Sequence, residues 1–245
     1  MKIRGVAERG YPLRYPENTI SSFQAAIDLN FTHTKLEVHL TKDGVPVVMQ
    51  DPTINRMTSG KGEIKDFTYA ELSNYIINHD EKIPTLEEVL RITKGKIKAG
   101  IEIVQTGFYH GLEEKVSGII QMLDAEKDVF LLSRNHYALA RLRILSQEME
   151  LGLITDEPNH FDIHLMKELN VTYYAFPFDF ETIQQLELTE LEKCGIQTIA
   201  SNVNTINKMK FMQQYPSILV STTELEKYIA ICSPHTITDW QKVGL

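Results

Sequence analysis

Cysteine is scarce in this chain, its histidines follow no metal-binding spacing, and its basic residues are outnumbered by acidic ones. Cys194 and Cys232 are its two cysteines, far apart and in no C-x-x-C pair. That spacing excludes a thiol-based zinc ribbon or a dithiol redox motif and leaves two free thiols of a reducing compartment as the expectation. No apolar run approaches the ~20 residues needed to span a bilayer, so no membrane insertion is expected. The amino terminus enters Ile3-Arg4-Gly5-Val6-Ala7 without a charged-then-apolar leader, and cytoplasmic residence follows as the expectation. Lys and Arg number 25 against 33 Asp and Glu, a net charge of -8 that argues against non-specific binding to nucleic acid or an anionic membrane. The histidines form no H-x-H or H-E-x-x-H pattern. His33, His79, His110, His136, His160, His164 and His235 are therefore expected on loops and helix surfaces. His136, after Ser133-Arg134-Asn135, lies nearest a strand end.

What is present is organised around residues 35–51. Leu36, Val38 and Leu40 alternate with Lys35, Glu37 and His39, the period of two that marks a strand with one apolar and one ionisable face. Asp43-Gly44 supplies a hairpin turn before a second apolar run, Val45 to Met49. Closing Lys42 against Val45 would set Gln50 opposite Glu37.

At 245 residues, 42% hydrophobic and 24% charged, the chain suits one α/β barrel or two small domains. Strand patterns at 2–7, in the hairpin's first arm, and at 97–104, 128–133, 150–154, 172–176, 196–200 and 217–221 alternate with helical patterns. Helices are expected from Asn18 to about Asn30, from the capping box Thr85-Leu-Glu-Glu88 to about Thr93, and at 111–123, 136–148, 161–169, 181–194, 205–214 and 223–231. Gly195 serves as a stop for the 181–194 helix. Eight strands alternating with helices predict a (β/α)₈ TIM barrel over residues 1–245, with a hairpin and loop insertion at about 51–84 after the second strand. Thr58-Ser-Gly-Lys-Gly62 is expected to be a flexible tip of that insertion, followed by a short helix near 68–76. No composition shift marks a second domain. The stretch after Ser233 reads as a surface appendage.

Several motifs carry a family resemblance. Glu8-Arg9-Gly10, Pro16-Glu17-Asn18-Thr19, the strand followed by Thr41-Lys42-Asp43-Gly44 and Val45-Pro46-Val47-Val48, and Ile101-Glu102-Ile103 occur in order over nearly the whole chain. Together they resemble the glycerophosphodiester phosphodiesterase family of phosphoric diester hydrolases, which act in glycerophospholipid metabolism. The resemblance implies a phospholipase-C-like barrel with its site at the mouth. It also implies a calcium or magnesium ion held by carboxylates and two histidines as general acid and base.

Carried over residue by residue, the pattern changes at the chemistry. Glu8 and Gln50 stand where the two histidines belong, and Lys35 replaces a metal-binding carboxylate. Glu37 and Glu102 remain as metal positions. Val104 stands for a lysine, and Ser201-Asn202-Val203-Asn204 for a run with an aromatic wall. Arg9, Gly10, Glu17 and Asn18 are retained.

A glutamine side chain exchanges no proton near neutral pH. The ammonium of Lys35 would sit where the cation belongs, so no metal cofactor is expected. The sequence thus reads as a family barrel with a degenerate catalytic centre. It would bind a small phosphodiester or anion through Arg9 and Lys35 and hydrolyse it weakly or not at all. The alternative is an active hydrolase releasing glycerol 3-phosphate. It would use Glu8 or His39 in place of the histidines, with Ca²⁺ or Mg²⁺ on Glu37 and Glu102. For His39 by itself, a solvated strand-end histidine is the blander expectation.

Overall fold

Alternating strand and helix patterns close on themselves. The structure, a computed structural model, describes residues 2–78, 80–104 and 111–232. His79, His110, His235 and the stretch after Ser233 lie outside the described residues. In chain order the elements are β1 (Ile3–Glu8), α1 (Ile20–Asp28), β2 (Phe31–Leu40), β3 (Pro46–Val48), α2 (Tyr69–Leu72), β4 (Ile76–Ile77), β5 (Glu81–Lys82), α3 (Leu86–Thr93), β6 (Lys98–Ile103), α4 (Leu112–Met122) and β7 (Val129–Ser133). There follow α5 (His136–Leu145), β8 (Leu151–Ile154), α6 (Ile163–Glu168), β9 (Val171–Pro177), α7 (Phe180–Gln185), α8 (Leu188–Lys193), β10 (Gln197–Ser201), α9 (Ile206–Met212), β11 (Leu219–Thr222) and α10 (Leu225–Cys232).

The barrel order is β1-β11-β10-β9-β8-β7-β6-β2, closed by parallel pairing of β1 with β2, with β3 added antiparallel on β2. Each expected barrel strand is found, and β2 begins earlier than the alternating pattern, at Phe31. The expected helix at 181–194 is two. Leu186 takes an extended backbone between them and is buried. Periodicity misses this break because Ile183, Leu186 and Leu191 keep a common apolar side whether one helix or two carries them. Gly195, at φ +74°, ends α8 as expected.

Strand alternation sorts the apolar residues into two layers. Leu36, Val38, Ala99, Ile101 and Leu131 pack outward beneath the helices. Val6, Phe130, Leu132, Tyr173, Ile199 and Leu219 fill the barrel interior. Phe130 stacks on Tyr173 at 4.0 Å. It occupies space that a side chain at Gly100 would take, since a Cβ there would lie 2.4 Å from the Phe130 ring.

His33 joins this interior. Its Nδ1 lies 2.8 Å from Thr32 Oγ1 and its ring meets Phe130 edge-on at 6.0 Å. The surface position expected for it is thereby corrected. Burial, reinforced by Lys98, Arg4 and Lys2, pushes its pKa down to about 4 from an ordinary 6.5. Between those values the unfolded chain binds a proton that the folded one refuses. Stability is therefore complete above about pH 6.5 and falls as pH drops toward 4, by at most about 3 kcal/mol. Thermal melts at pH 7 and pH 4.5 should show a smaller drop for His33→Gln than for the natural chain. Equal drops would remove His33 as the cause.

The insertion has its own core. Val47 and Met49 turn away from the main core to meet Ile54, Ile64, Leu72, Ile77 and Ile83. The expected flexible tip is instead tied down. Thr58 bonds to the Ile54 carbonyl, the Gly60 amide to Thr58 Oγ1, and the Gly62 amide to Asn55 Oδ1. A capping box between Thr68 and Glu71 opens α2. Among the described residues, no helix is long and apolar enough to cross a membrane.

Candidate functional site

Chain direction in a parallel barrel brings all eight strand ends to one mouth. A cavity of about 330 Å³ lies there, lined among others by Glu8, Arg9, Lys35, Glu37, Gln50, Glu102, Val104, Arg134, Asp156, Ser201, Asn202 and Ser221. A second cavity, of about 410 Å³, opens beside Lys2, Arg4, Tyr228 and Cys232, where β1 begins and α10 ends. None of the residues that the sequence marks for chemistry reaches it.

The loop after β1 is fixed by its own backbone. Arg9 and Asn18 both sit at φ 58°, a left-handed conformation that costs a non-glycine residue roughly 1–2 kcal/mol. It is imposed by the Arg9 amide donating to the Lys35 carbonyl, the Asn18 amide donating to the Arg9 carbonyl, and Ser22 Oγ donating to the same carbonyl. Gly10, at φ +80°, lies where a Cβ would meet Ser22 Oγ at 2.4 Å. The strain aims Arg9 and Asn18 at β2.

There Lys35 Nζ is surrounded by carboxylates: Glu102 Oε2 at 2.6 Å, Glu37 Oε1 at 3.2 Å and Glu8 Oε1 at 3.9 Å. Glu37 also accepts from Arg9 Nε at 3.3 Å and Asn18 Nδ2 at 2.9 Å. Ser221 Oγ donates to Glu8 Oε2. Burial opposes the charge on Lys35, yet the three carboxylates hold its ammonium above the ordinary pKa. Lys35, Arg9 and the Asn18 bond hold Glu37 below the ordinary carboxylate range against the same burial. Lys35 and Glu37 thus favour each other's charged forms.

Hard divalent ions take six or more oxygen ligands and exclude cations from among them. Here an ammonium stands among the acidic oxygens. Among the described residues no group of three or more His, Cys, Asp or Glu side chains is arranged to hold a metal ion. The residues present do not fit the family's cation.

Gln50 reaches the cavity by a different register from the one expected. The turn closes Thr41 against Val45, with Gly44 left-handed at φ +78°. Val38 therefore faces Val48, and the Met49 amide bonds to the Glu37 carbonyl. The extra turn residue moves the register by one. Gln50 lies past the end of β3, on a bend.

His39, expected at a solvated strand end, is buried. Its Nε2 lies 3.1 Å from the Gln50 carbonyl, and burial lowers its pKa. It is not among the described residues that line the cavity. His136 lines a shallower recess with Glu102, Val104 and Arg134 on the same rim.

Sequence reading missed Arg56. Its guanidinium reaches back from the insertion to Asp51 at 2.6 Å, to Gln50 Oε1 at 3.0 Å and to Glu17, which also accepts from Arg9. No local pattern announces it, because its partners are brought in from other loops. Arg134 and Asp156, paired at 2.7 Å, and Ser221 were also missed; their strand-end positions were the available signal. Arg56 is nearly half exposed and its charges are screened, so Arg56→Ala is expected to cost only about 1 kcal/mol, read from the urea midpoint. Arg56→Lys should recover little of that loss, because an ammonium lacks the planar fork.

The sequence model described as "Glycerophosphoryl diester phosphodiesterase family" matches residues 9–225. A protein of Caldanaerobacter subterraneus named glycerophosphodiester phosphodiesterase is 32% identical over 230 residues, covering 86% of this chain and 90% of its own. Two solved structures share the fold. One is a phosphodiesterase of Oleispira antarctica in complex with the product sn-glycerol-3-phosphate, at TM-score 0.79 and 23% identity, covering 94% of this chain and 97% of its own. The other is the glycerophosphodiester phosphodiesterase of Thermotoga maritima, at TM-score 0.75 and 23% identity, covering 94% and 99%.

Proposed function

The chain belongs to the glycerophosphoryl diester phosphodiesterase family, and on that premise we propose that its mouth binds a glycerophosphodiester or a related small phosphate ester while hydrolysing it very weakly or not at all. The observation that carries this reading is the Lys35 ammonium, 2.6 Å from Glu102 and 3.2 Å from Glu37, the two carboxylates to which the resemblance assigns a cation. A fixed charge there neutralises the carboxylates without a metal, but it brings no bound water or Lewis-acid site. Gln50 can neither take nor give a proton at its position. Loss of one acid or base commonly costs a factor of ~10² to 10⁴. Arg9 supports the binding half of the proposal. It uses Nε and Nη1 on Glu37 and Glu17, and among the described residues Nη2 makes no further hydrogen bond and remains a donor for a phosphate oxygen. The two cysteines are free thiols, in keeping with a cytoplasmic setting.

A second reading fits the names of several relatives, the Caldanaerobacter protein among them. In it the chain is a working hydrolase in which Glu8, already in the cavity, replaces a histidine. His39 is the poorer substitute because its ring is buried away from the cavity.

One assay separates the two readings: release of glycerol 3-phosphate from glycerophosphocholine, with and without calcium or magnesium. Turnover near background is expected, together with calorimetric binding of glycerophosphocholine that Arg9→Ala abolishes. Robust turnover that disappears in Glu8→Ala would establish the hydrolase instead.

A further inference from the structure

Three large apolar side chains stand further into solvent than any others among the described residues: Tyr137 at 87% exposed, Ile144 at 81% and Met122 at 59%. All three lie on two neighbouring helices. Tyr137 and Ile144 are seven residues apart in α5, which sets them on one side of it, two turns from each other. Met122 closes α4, and α4 is tied to α5 by Arg141 Nε donating to Glu114 Oε1 at 2.6 Å. One turn beyond Glu114, Gly118 leaves a gap in α4, where a Cβ would meet no other atom within 4 Å. The outer face of the pair is thus apolar at both ends, pinned by one ion pair and notched between them.

Single apolar residues on a surface need no explanation, but three on adjoining helices mark a surface built to be covered. Charge points to what covers it. Arg141 and Glu114 neutralise each other, so this face carries no net charge on a chain of -8, and a second copy is repelled least there. The ends of α5 then set the direction. Exposed Arg134 precedes the helix and exposed Glu148 follows it; Arg134 bonds to Asp156 through Nη1 and leaves its other donors unused among the described residues. Antiparallel pairing of two α5 helices about the midpoint of Ala140 and Arg141 brings Arg134 of each copy toward Glu148 of the other and sets Tyr137 against Ile144. Parallel pairing would set like charge against like.

We propose that this chain associates with a second copy of itself through the outer faces of α4 and α5, with the two α5 helices antiparallel across a twofold axis. The association does not depend on what the mouth binds. α4, at 11 residues, is about 16 Å long and lies about 10 Å from its neighbour, so the two helices offer roughly a few hundred Å², below the ~800 Å² per partner of a standard interface. The dimer is therefore micromolar, held by Tyr137 and Ile144 as anchors rather than by area.

Sedimentation velocity of the full chain from about 1 to 200 μM is expected to show a monomer and dimer in equilibrium, with a Kd of roughly 10–50 μM. Ile144→Glu, at a position the fold leaves in solvent, should raise that Kd at least about tenfold. Direction is read by cross-linking. With Cys194 and Cys232 both changed to Ser, an oxidised mixture of Tyr137→Cys and Ile144→Cys chains should form a covalent dimer that neither variant forms readily alone. A natural chain that stays monomeric throughout the concentration range would overturn the inference, and so would a dimer that Ile144→Glu leaves intact. Cross-linking no better in the mixture than in either variant alone would overturn the antiparallel arrangement.

Discussion

Lys35→Met is expected to destabilise the fold by about 3–5 kcal/mol, the usual consequence of removing one partner from a buried ion cluster. The side chain keeps its length and loses its charge, leaving Glu8, Glu37 and Glu102 facing one another. Glu37 suffers most, with only 4% of its side chain exposed and Lys35 and Arg9 as its two cations. The pH dependence has a definite sign at both ends. The raised Lys35 pKa contributes stability that is present below about pH 10.5 and lost as pH rises through its folded value. The lowered Glu37 pKa contributes stability present above about 4.5 and lost as pH falls through its own. Without the ammonium, the three carboxylates become a set of hard oxygen ligands, so calcium or magnesium should raise the melting temperature of Lys35→Met and leave the natural chain unmoved. A natural chain that calcium or magnesium stabilises, through carboxylates that Glu102→Gln disables, would show that the ammonium does not replace the ion.

Restoring the family's groups together, with Glu8→His, Lys35→Glu and Gln50→His, should produce metal-dependent release of glycerol 3-phosphate at roughly 10² times the parent rate or more. The three positions already line one cavity with Glu37 and Glu102. The change therefore supplies chemistry to existing geometry, and the mouth has no need to be rebuilt. Single reversions should yield almost nothing, because acid, base and ion act as a unit. A triple variant that folds, binds calcium and still fails to turn over would mean that positions 8 and 50 do not present imidazoles to the phosphorus. Gln50 is the position of greater interest. Arg56 donates to its side-chain oxygen at 3.0 Å, and an imidazole there could accept that bond only through its unprotonated nitrogen.

The parts of the fold that could be read in advance share one property: their signal is local and periodic. Leu36, Val38 and Leu40 announce the outward face of β2, and Lys35 and Glu37 announce the inward one, because a strand's side chains alternate whatever it pairs with. The hairpin register was misplaced because it depends on which residue of Thr41-Lys42-Asp43-Gly44 closes the turn, a choice of one residue that composition does not encode. His33 and His39 were misjudged for a related reason. Their strand parity points them inward, but only the edge-on packing of Phe130 against one ring and the path of residues 49–51 beside the other determine that His33 is half-buried and His39 fully so.

What the sequence by itself determined is the barrel and the identity of the residues at its mouth: an amine, three carboxylates and an amide where the related family has a cation site and two imidazoles. Tertiary structure alone decided that Lys35 Nζ lies within 4 Å of all three carboxylates, and that Arg56 crosses from the insertion to Glu17 and Gln50. Alternation fixes which side of a strand a residue occupies. Distances between side chains on separate strands and loops are fixed by how the sheet closes and how the insertion packs upon it.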